Sequence, residues 1–96
     1  MLFVIIGRDK PGVSALRAQT RERHLAYLRD AGDRLKLAGP LRDSDDLDAP
    51  AGTLLVVEAA SLSAARLMAE NDPYMQAGVF AEVEVKPFKA MLGQWA

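Results

Sequence analysis

The sequence predicts an α+β fold in which four strands and two helices follow one another in the order βαββαβ. Two short segments, residues 2–6 and 53–58, are apolar at almost every position, which is typical of central strands covered on both faces. Residues 35–41 and 79–86 alternate apolar with polar side chains, which is typical of edge strands. Central first and third strands predict a ferredoxin-like antiparallel sheet of order 4-1-3-2 with both helices on one face.

The first half of the chain contains the signals for a turn, a helix and an edge strand. Proline and glycine are adjacent within residues 7–12 and predict a turn there. Ser14 is the predicted N-cap of a helix that runs to Ala31, and Gly32 is its predicted C-terminal stop. An edge strand tolerates a proline, and the predicted faces of this one carry Leu35, Leu37 and Leu41 opposite Lys36 and Pro40.

The second half begins with a polar, acidic loop predicted over residues 42–52. After the third strand, Ser61 is the predicted cap of a second helix, which ends at Pro73 because the residue before a proline disfavours the helical conformation. In the last strand one face is predicted to carry Val79, Ala81, Val83 and Val85. A tail over residues 88–96 leaves three large apolar side chains to be buried, those of Met91, Leu92 and Trp95.

Length, charge and composition limit the function. The 96 residues predict a single domain, residues 1–96. The net charge of −1 and the scattered basic residues argue against nucleic-acid or membrane-surface binding. The absence of cysteine excludes disulfides, zinc–thiolate sites and thiol nucleophiles. The apolar segment 2–6 is too short for a signal peptide or a spanning helix, so we predict a cytoplasmic protein.

The two central strands are apolar on both faces, whereas two helices cover only one face of such a sheet. Large apolar surfaces seldom stay exposed to water. We therefore expect a homodimer in which the uncovered faces of two sheets pack together.

The only histidine of the chain, His24, falls on the apolar stripe of the first helix. The same stripe carries Leu16, Thr20 and Ala31, together with Tyr27 or Leu28. A titratable group on a buried face needs a polar partner, and Asp72, after the second helix, is the best candidate.

Several short segments together resemble the YciI-like proteins, a small family of dimeric α+β barrels. The resemblance rests on HLAYL at 24–28, LAGPL at 37–41, DPY at 72–74, AGVF at 77–80 and VKPFK at 85–89. In that family a histidine and an aspartate at these places form the proposed active site. Relatives of the fold include muconolactone isomerases and a dehydrochlorinase of hydroxylated aromatics, so the resemblance implies an enzyme without identifying its substrate.

A second resemblance concerns the segment VIIGRDKPGV at residues 4–13, which is similar to the opening of ACT domains. ACT domains are regulatory modules that bind amino acids and also fold as βαββαβ. The similarity fades after Val13, and an ACT domain requires neither His24 nor the segment 72–74. The YciI-like interpretation is therefore favoured.

The candidate site residues each have a functional and a structural interpretation. His24 and Asp72 form either a dyad, in which the carboxylate orients the imidazole and favours its charged form, or a structural pair between helices. Arg17 and Arg21 precede His24 by two turns and one turn, and either bind a substrate carboxylate or lie on the surface. Tyr74 reaches the same pocket or packs in the core.

The remaining polar and glycine-containing segments are weaker candidates. Gly39 and Pro40 either let the backbone approach a ligand or mark a bulge. The acidic segment 43–48 fails the EF-hand test, because a twelve-residue loop that began at Asp43 would have Leu47 at its fifth position and Leu54 at its twelfth. A solvated loop is therefore predicted there, and no metal site is expected. No motif for an organic cofactor is present.

The resulting hypothesis is a homodimeric enzyme that uses His24 and Asp72 for general acid–base chemistry on a small, anionic organic molecule. Isomerisation, elimination and hydrolysis are all compatible with it. The alternative is a non-catalytic small-molecule-binding or regulatory module.

Overall fold

The structure is a computed structural model that describes residues 1–45 and 49–94. In chain order its elements are β1 (Leu2–Asp9), α1 (Ser14–Asp30), a 3-10 turn (Gly32–Arg34), β2 (Leu35–Arg42), β3 (Pro50–Glu58), α2 (Leu62–Glu70), α3 (Pro73–Gln76) and β4 (Phe80–Phe88). Within the described residues the strands form one antiparallel sheet of order β2-β3-β1-β4. The predicted ferredoxin-like sheet order is confirmed.

The core lies between one face of the sheet and the helices α1 and α2. Phe3 and Ile5 of β1 and Leu55 and Val57 of β3 point towards the helices and are buried. They pack against side chains of the helices, Leu28, Ala65 and Ala69. The alternate residues of these strands face the other way and are only partly buried, among them Leu2, Val4, Ile6, Leu54 and Val56.

The strand β1 extends beyond its prediction, since residues 7–9 are strand and not turn. Gly7 pairs with Thr53 on one side and Val83 on the other. A Cβ atom at Gly7 would lie 2.6 Å from the Phe80 ring, so the missing side chain makes room for that ring. The strand β1 continues through residues 7–9 because β3 and β4 continue beside it. The proline and glycine that predicted a turn carry no information about these neighbouring strands.

Several predicted helix and loop boundaries are corrected. Ser14 is the first residue of α1 rather than its cap, and no side chain caps that end. Gly32 follows the helix with φ +58°, as a C-terminal stop requires. Ser61 caps α2 as predicted, accepting a hydrogen bond of 3.1 Å from the Ala64 N–H. The helix α2 ends at Glu70, however, and Pro73 begins α3, because a proline at the first helical position needs no N–H partner.

The edge strands contain register shifts that were not predicted. In β2 the shift lies between Leu35 and Leu37, so that Leu35 shares a face with Val57 while Leu37 shares one with Val56. The prediction that Leu35, Leu37 and Leu41 share one face is therefore wrong. In β4 a shift opposite Arg8 and Asp9 leaves Ala81 exposed and turns Phe80 inward, which corrects the predicted alternation there.

The loop and the tail also differ from their predictions. The strands β2 and β3 extend to Arg42 and from Pro50, so the connection is shorter than the predicted loop 42–52. Met91 and Leu92 are 68% and 94% exposed in the single chain, so its own core does not bury them, and β4 ends before them, at Phe88. Trp95 and part of the acidic segment, residues 46–48, lie outside the described residues.

Candidate active site

The helix α1 presents a stripe of buried residues to the sheet. Arg17, Thr20, His24 and Leu28 recur at helical spacing and are buried. Thr20 satisfies its hydroxyl within the helix by donating to the Leu16 carbonyl over 2.8 Å. Arg17 and His24 cannot do so, and each finds its partners on other elements. The prediction that Arg17 is a surface residue is therefore excluded, because it is 6% exposed.

His24 and Asp72 are in contact. The distance between His24 Nδ1 and Asp72 Oδ1 is 2.8 Å, and both side chains are almost completely buried. The same carboxylate oxygen accepts a bond of 2.9 Å from the Tyr74 N–H, so Asp72 is also the N-cap of α3. An ionised carboxylate only accepts hydrogen bonds, so with Asp72 ionised Nδ1 of His24 is the donor in this contact, and in the neutral imidazole Nε2 then has the lone pair.

Tyr74 fixes the plane of the imidazole. Its ring stacks on that of His24 with a centroid distance of 3.9 Å and an interplanar angle of 16°. The Arg17 guanidinium carbon lies 4.5 Å from the centroid of the Tyr74 ring. Burial raises the pKa of the Tyr74 hydroxyl, although Arg17 and Arg21 oppose the shift. Tyr74 thus packs in the core and also lines the cavity, so both of the interpretations given for it from the sequence apply.

Arg17 is held by the sheet. Its Nη2 donates to the Gly52 carbonyl and to Thr53 Oγ1, at 2.5 and 2.6 Å. Its Nε lies 3.3 Å from Asp9 Oδ2. Two atoms of this pair, Arg17 Nη1 and Asp9 Oδ1, are buried and have no hydrogen-bond partner in the described part of the chain. Burial raises the pKa of the Asp9 carboxyl, and the charge of Arg17 partly offsets the increase.

A cavity of about 610 Å³ lies between α1 and the strand β2. Its lining includes all the predicted site residues except Asp72, which lies behind His24: Arg17, Arg21, His24, Gly39, Pro40 and Tyr74. The irregularities of β2 lie on either side of Gly39 and Pro40, so these two residues do not mark a bulge. A role in catalysis or binding stays a prediction for each of them.

Sequence reasoning missed three further residues at the site, Asp9, Thr53 and Arg42. Asp9 pairs with Arg17, whereas Thr53 and Arg42 line the cavity. A signal for Asp9 existed, because it continues the inward-facing series of Phe3, Ile5 and Gly7. A charged residue at such a position indicates a buried partner.

Within residues 1–45 and 49–94, no group of three or more histidine, aspartate or glutamate side chains is arranged to hold a metal ion. In the same residues no helix has the length and apolar character needed to cross a membrane.

The fold and the site together define a class, that of small ferredoxin-like α+β proteins with a histidine–aspartate pair beside an arginine-lined cavity. Comparison with protein families is consistent with that class and specifies it further. The model of the YCII-related domain matches residues 1–89, and the chain belongs to this family. The YciI-like resemblance is thereby confirmed.

Relatives cover nearly the whole chain. The chain is 42% identical to protein YciI of Escherichia coli O6:H1 over 95 residues, which cover 93% of this chain and 97% of that protein. It is 40% identical, with the same coverage, to an uncharacterised protein of Haemophilus influenzae. Among solved structures it is similar to TftG, the 5-chloro-2-hydroxyhydroquinone dehydrochlorinase of Burkholderia phenoliruptrix AC1100, in complex with 2,5-dihydroxybenzoquinone. The TM-score is 0.82 and the identity 34%, over 93% of this chain and 94% of TftG.

Proposed function

We propose that the cavity is an enzyme active site in which His24 transfers protons to and from a small anionic organic molecule. The observation that carries the proposal is the bond of 2.8 Å between His24 Nδ1 and Asp72 Oδ1 at the edge of the cavity. The bond leaves the lone pair of Nε2 for a proton from a ligand. Asp72 then stabilises the imidazolium, and stacking on Tyr74 keeps the ring in place.

The cationic side chains of the site suit the other product of proton removal, an anion. Arg17 and Arg21 line the cavity beside His24, so a negative charge that develops on the ligand lies near two guanidinium groups. The similarity to TftG supports a hydroxylated aromatic ring as the ligand and elimination as the reaction. Loss of a proton and a chloride ion is redox-neutral, and His24 is the proton acceptor.

The test is an assay of chloride release from 5-chloro-2-hydroxyhydroquinone. We expect turnover by the wild type and a loss of about 10²- to 10⁴-fold in kcat in His24→Gln. Asp72→Asn keeps a hydrogen-bond acceptor but removes the charge, and we expect it to lower kcat as well. Arg23→Gln, on the exposed side of the same helix, is the matched control and should retain full activity.

The alternative is a binding module without catalysis, which the charged cavity supports equally well. It predicts that 2,5-dihydroxybenzoquinone binds to the wild type and to His24→Gln with similar affinity while neither protein releases chloride. Equal chloride release by the wild type and His24→Gln, with both proteins folded, would refute the proposed role of His24.

A further inference from the structure

The charged side chains that line the cavity are all basic in the described part of the chain. Among residues 1–45 and 49–94, its lining contains three arginines, Arg17, Arg21 and Arg42, together with His24, and no aspartate or glutamate. Asp9 neutralises part of the charge of Arg17 from behind the cavity wall. Arg21 is exposed at the mouth of the cavity, and Arg17 and Arg42 lie deeper in its wall. A cavity with this surplus of positive charge favours a ligand with more than one negative charge.

Arg42 belongs to the wall formed by β2. Ala38, Pro40 and Arg42 alternate along that strand, and all three line the cavity. Among residues 1–45 and 49–94, the Nε of Arg42 is buried without a hydrogen-bond partner. Its Nη1 makes a long bond of 3.3 Å to the carbonyl of Leu41, next to it in the chain. A half-buried guanidinium with such weak partners is able to bind an anion.

Arg17 and Arg42 lie at different places along the cavity. Arg17 is bound at Thr53, which pairs with Pro40, and Arg42 is two residues further along β2. Strand geometry separates the backbone positions of Thr53 and Arg42 by roughly 8 Å. His24 follows Arg17 by two helical turns, about 10 Å along α1 and away from the Arg42 end. A six-membered ring with an anionic oxygen on each side can therefore present its two charges to different arginines of the lining.

We propose that the ligand of this cavity is a dianion, and that Arg42 binds the anionic group farther from His24. The inference rests on the proposed function for the location of the site, but it does not require turnover. It assigns Arg42 a role in selecting the ligand: Arg17 and Arg21 bind the end of the molecule that reacts, and Arg42 binds the opposite end.

The test compares two probes that differ in one charge. In 2,5-dihydroxybenzoquinone each hydroxyl is conjugated to a carbonyl group and ionises like a carboxylic acid, which places two charges on opposite sides of the ring. In its monomethyl ether one of these charges is blocked. We expect calorimetric titration at pH 7 to show that the wild type binds the dianion about tenfold or more tightly than the ether.

Two variants test whether Arg42 causes the preference for the dianion. Arg42→Gln should weaken binding of 2,5-dihydroxybenzoquinone by about ten- to a hundredfold and leave binding of the ether within about twofold. Arg23→Gln is the control for the loss of one positive charge and should leave both affinities unchanged, and circular dichroism should confirm that both variants are folded.

The inference is wrong if the dianion does not bind more tightly than the ether, or if Arg42→Gln and Arg23→Gln have equal effects. Either result leaves the proposed function standing when His24→Gln still abolishes chloride release. Conversely, selective binding of the dianion through Arg42 without any chloride release would refute the proposed enzyme and support the inference.

Discussion

Asp9 and Arg17 form a buried ion pair, and protonation of the Asp9 carboxyl makes its contribution to stability depend on pH. Both side chains are 7% exposed, and Asp9 Oδ1 has no hydrogen-bond partner. The attraction of Arg17 lowers the pKa of the carboxyl, but burial outweighs it and raises the pKa above its ordinary value of 3.8. The folded protein therefore binds a proton at Asp9 more readily than the unfolded chain does.

This difference predicts how Asp9 affects stability. Between the raised pKa and 3.8 the folded state binds more protons, so the contribution of Asp9 to the free energy of unfolding increases as the pH falls through this window. Urea unfolding of the wild type and of Asp9→Asn at a series of pH values measures it. The wild type should gain stability relative to the variant as the pH decreases.

The exposed Asp30, at the end of α1, is the control for this measurement. Asp30→Asn should not reproduce the pH dependence seen with Asp9→Asn. A relative stability of the wild type that decreases as the pH falls would mean that the attraction of Arg17 outweighs burial.

Among the elements, β1 needs a glycine at position 7, because the Phe80 ring lies directly against the strand there. The Phe80 ring fills the place of a side chain at Gly7, and Phe80 also packs against Tyr74, edge to face with centroids 5.9 Å apart. The strand β1 is therefore linked to the stack that fixes His24. Gly39 is a strand glycine of a different kind, because among the described residues, apart from its two chain neighbours, none has an atom within 4 Å of its ideal Cβ position.

These two glycines form a matched pair of substitutions. Gly7→Ala should lower the free energy of unfolding by about 1–3 kcal/mol, because the new methyl group displaces a buried ring. Gly39→Ala should leave stability unchanged or raise it by about 0.4–1 kcal/mol, since the unfolded chain loses entropy. Urea titration measures both. Similar destabilisation by both substitutions would show that the Phe80 contact is not the cause.

At the scale of the whole molecule, one face of the sheet lacks a helical cover. Among the described residues α1 and α2 pack on the opposite face. Val4 pairs directly with Val56 in the uncovered layer, and Leu37, which shares a face with Val56, is 43% exposed. A continuous apolar surface of this kind is typical of an interface, and we propose that a second copy of the chain covers it.

Sedimentation equilibrium tests this proposal. The wild type should have twice the mass of one chain, and Val56→Lys should shift the equilibrium to the monomer, because each charge would be buried between two sheets. Ala26→Lys, on the exposed side of α1, should sediment like the wild type. A monomeric wild type, or dimers of equal stability in both variants, would contradict the proposed sheet-to-sheet interface.

The sequence by itself determined the order of the elements, the sheet order and the stripe that contains His24. These features depend on periodicity, which is local: alternation distinguishes edge strands from central ones, and helical spacing aligns Thr20, His24 and Leu28. The pairing of His24 with Asp72 was also expected, because a buried histidine needs a partner and the family resemblance indicated which one. Signals confined to a few neighbouring residues were sufficient for the order of the elements, the sheet order and the stripe, whereas the choice of Asp72 as the partner also needed the family resemblance.

Only the tertiary structure decided which charges are buried and which way the edge strands face. An arginine is usually a surface residue. Arg17 is buried because Asp9, Gly52 and Thr53 provide partners for its guanidinium group. The register shifts of β2 and β4 depend on the neighbouring strands, and that of β2 places Leu35 on the face of Val57 and Leu37 on the face of Val56. Partners of buried charges and strand registers are properties of long-range contacts, so no local pattern specifies them.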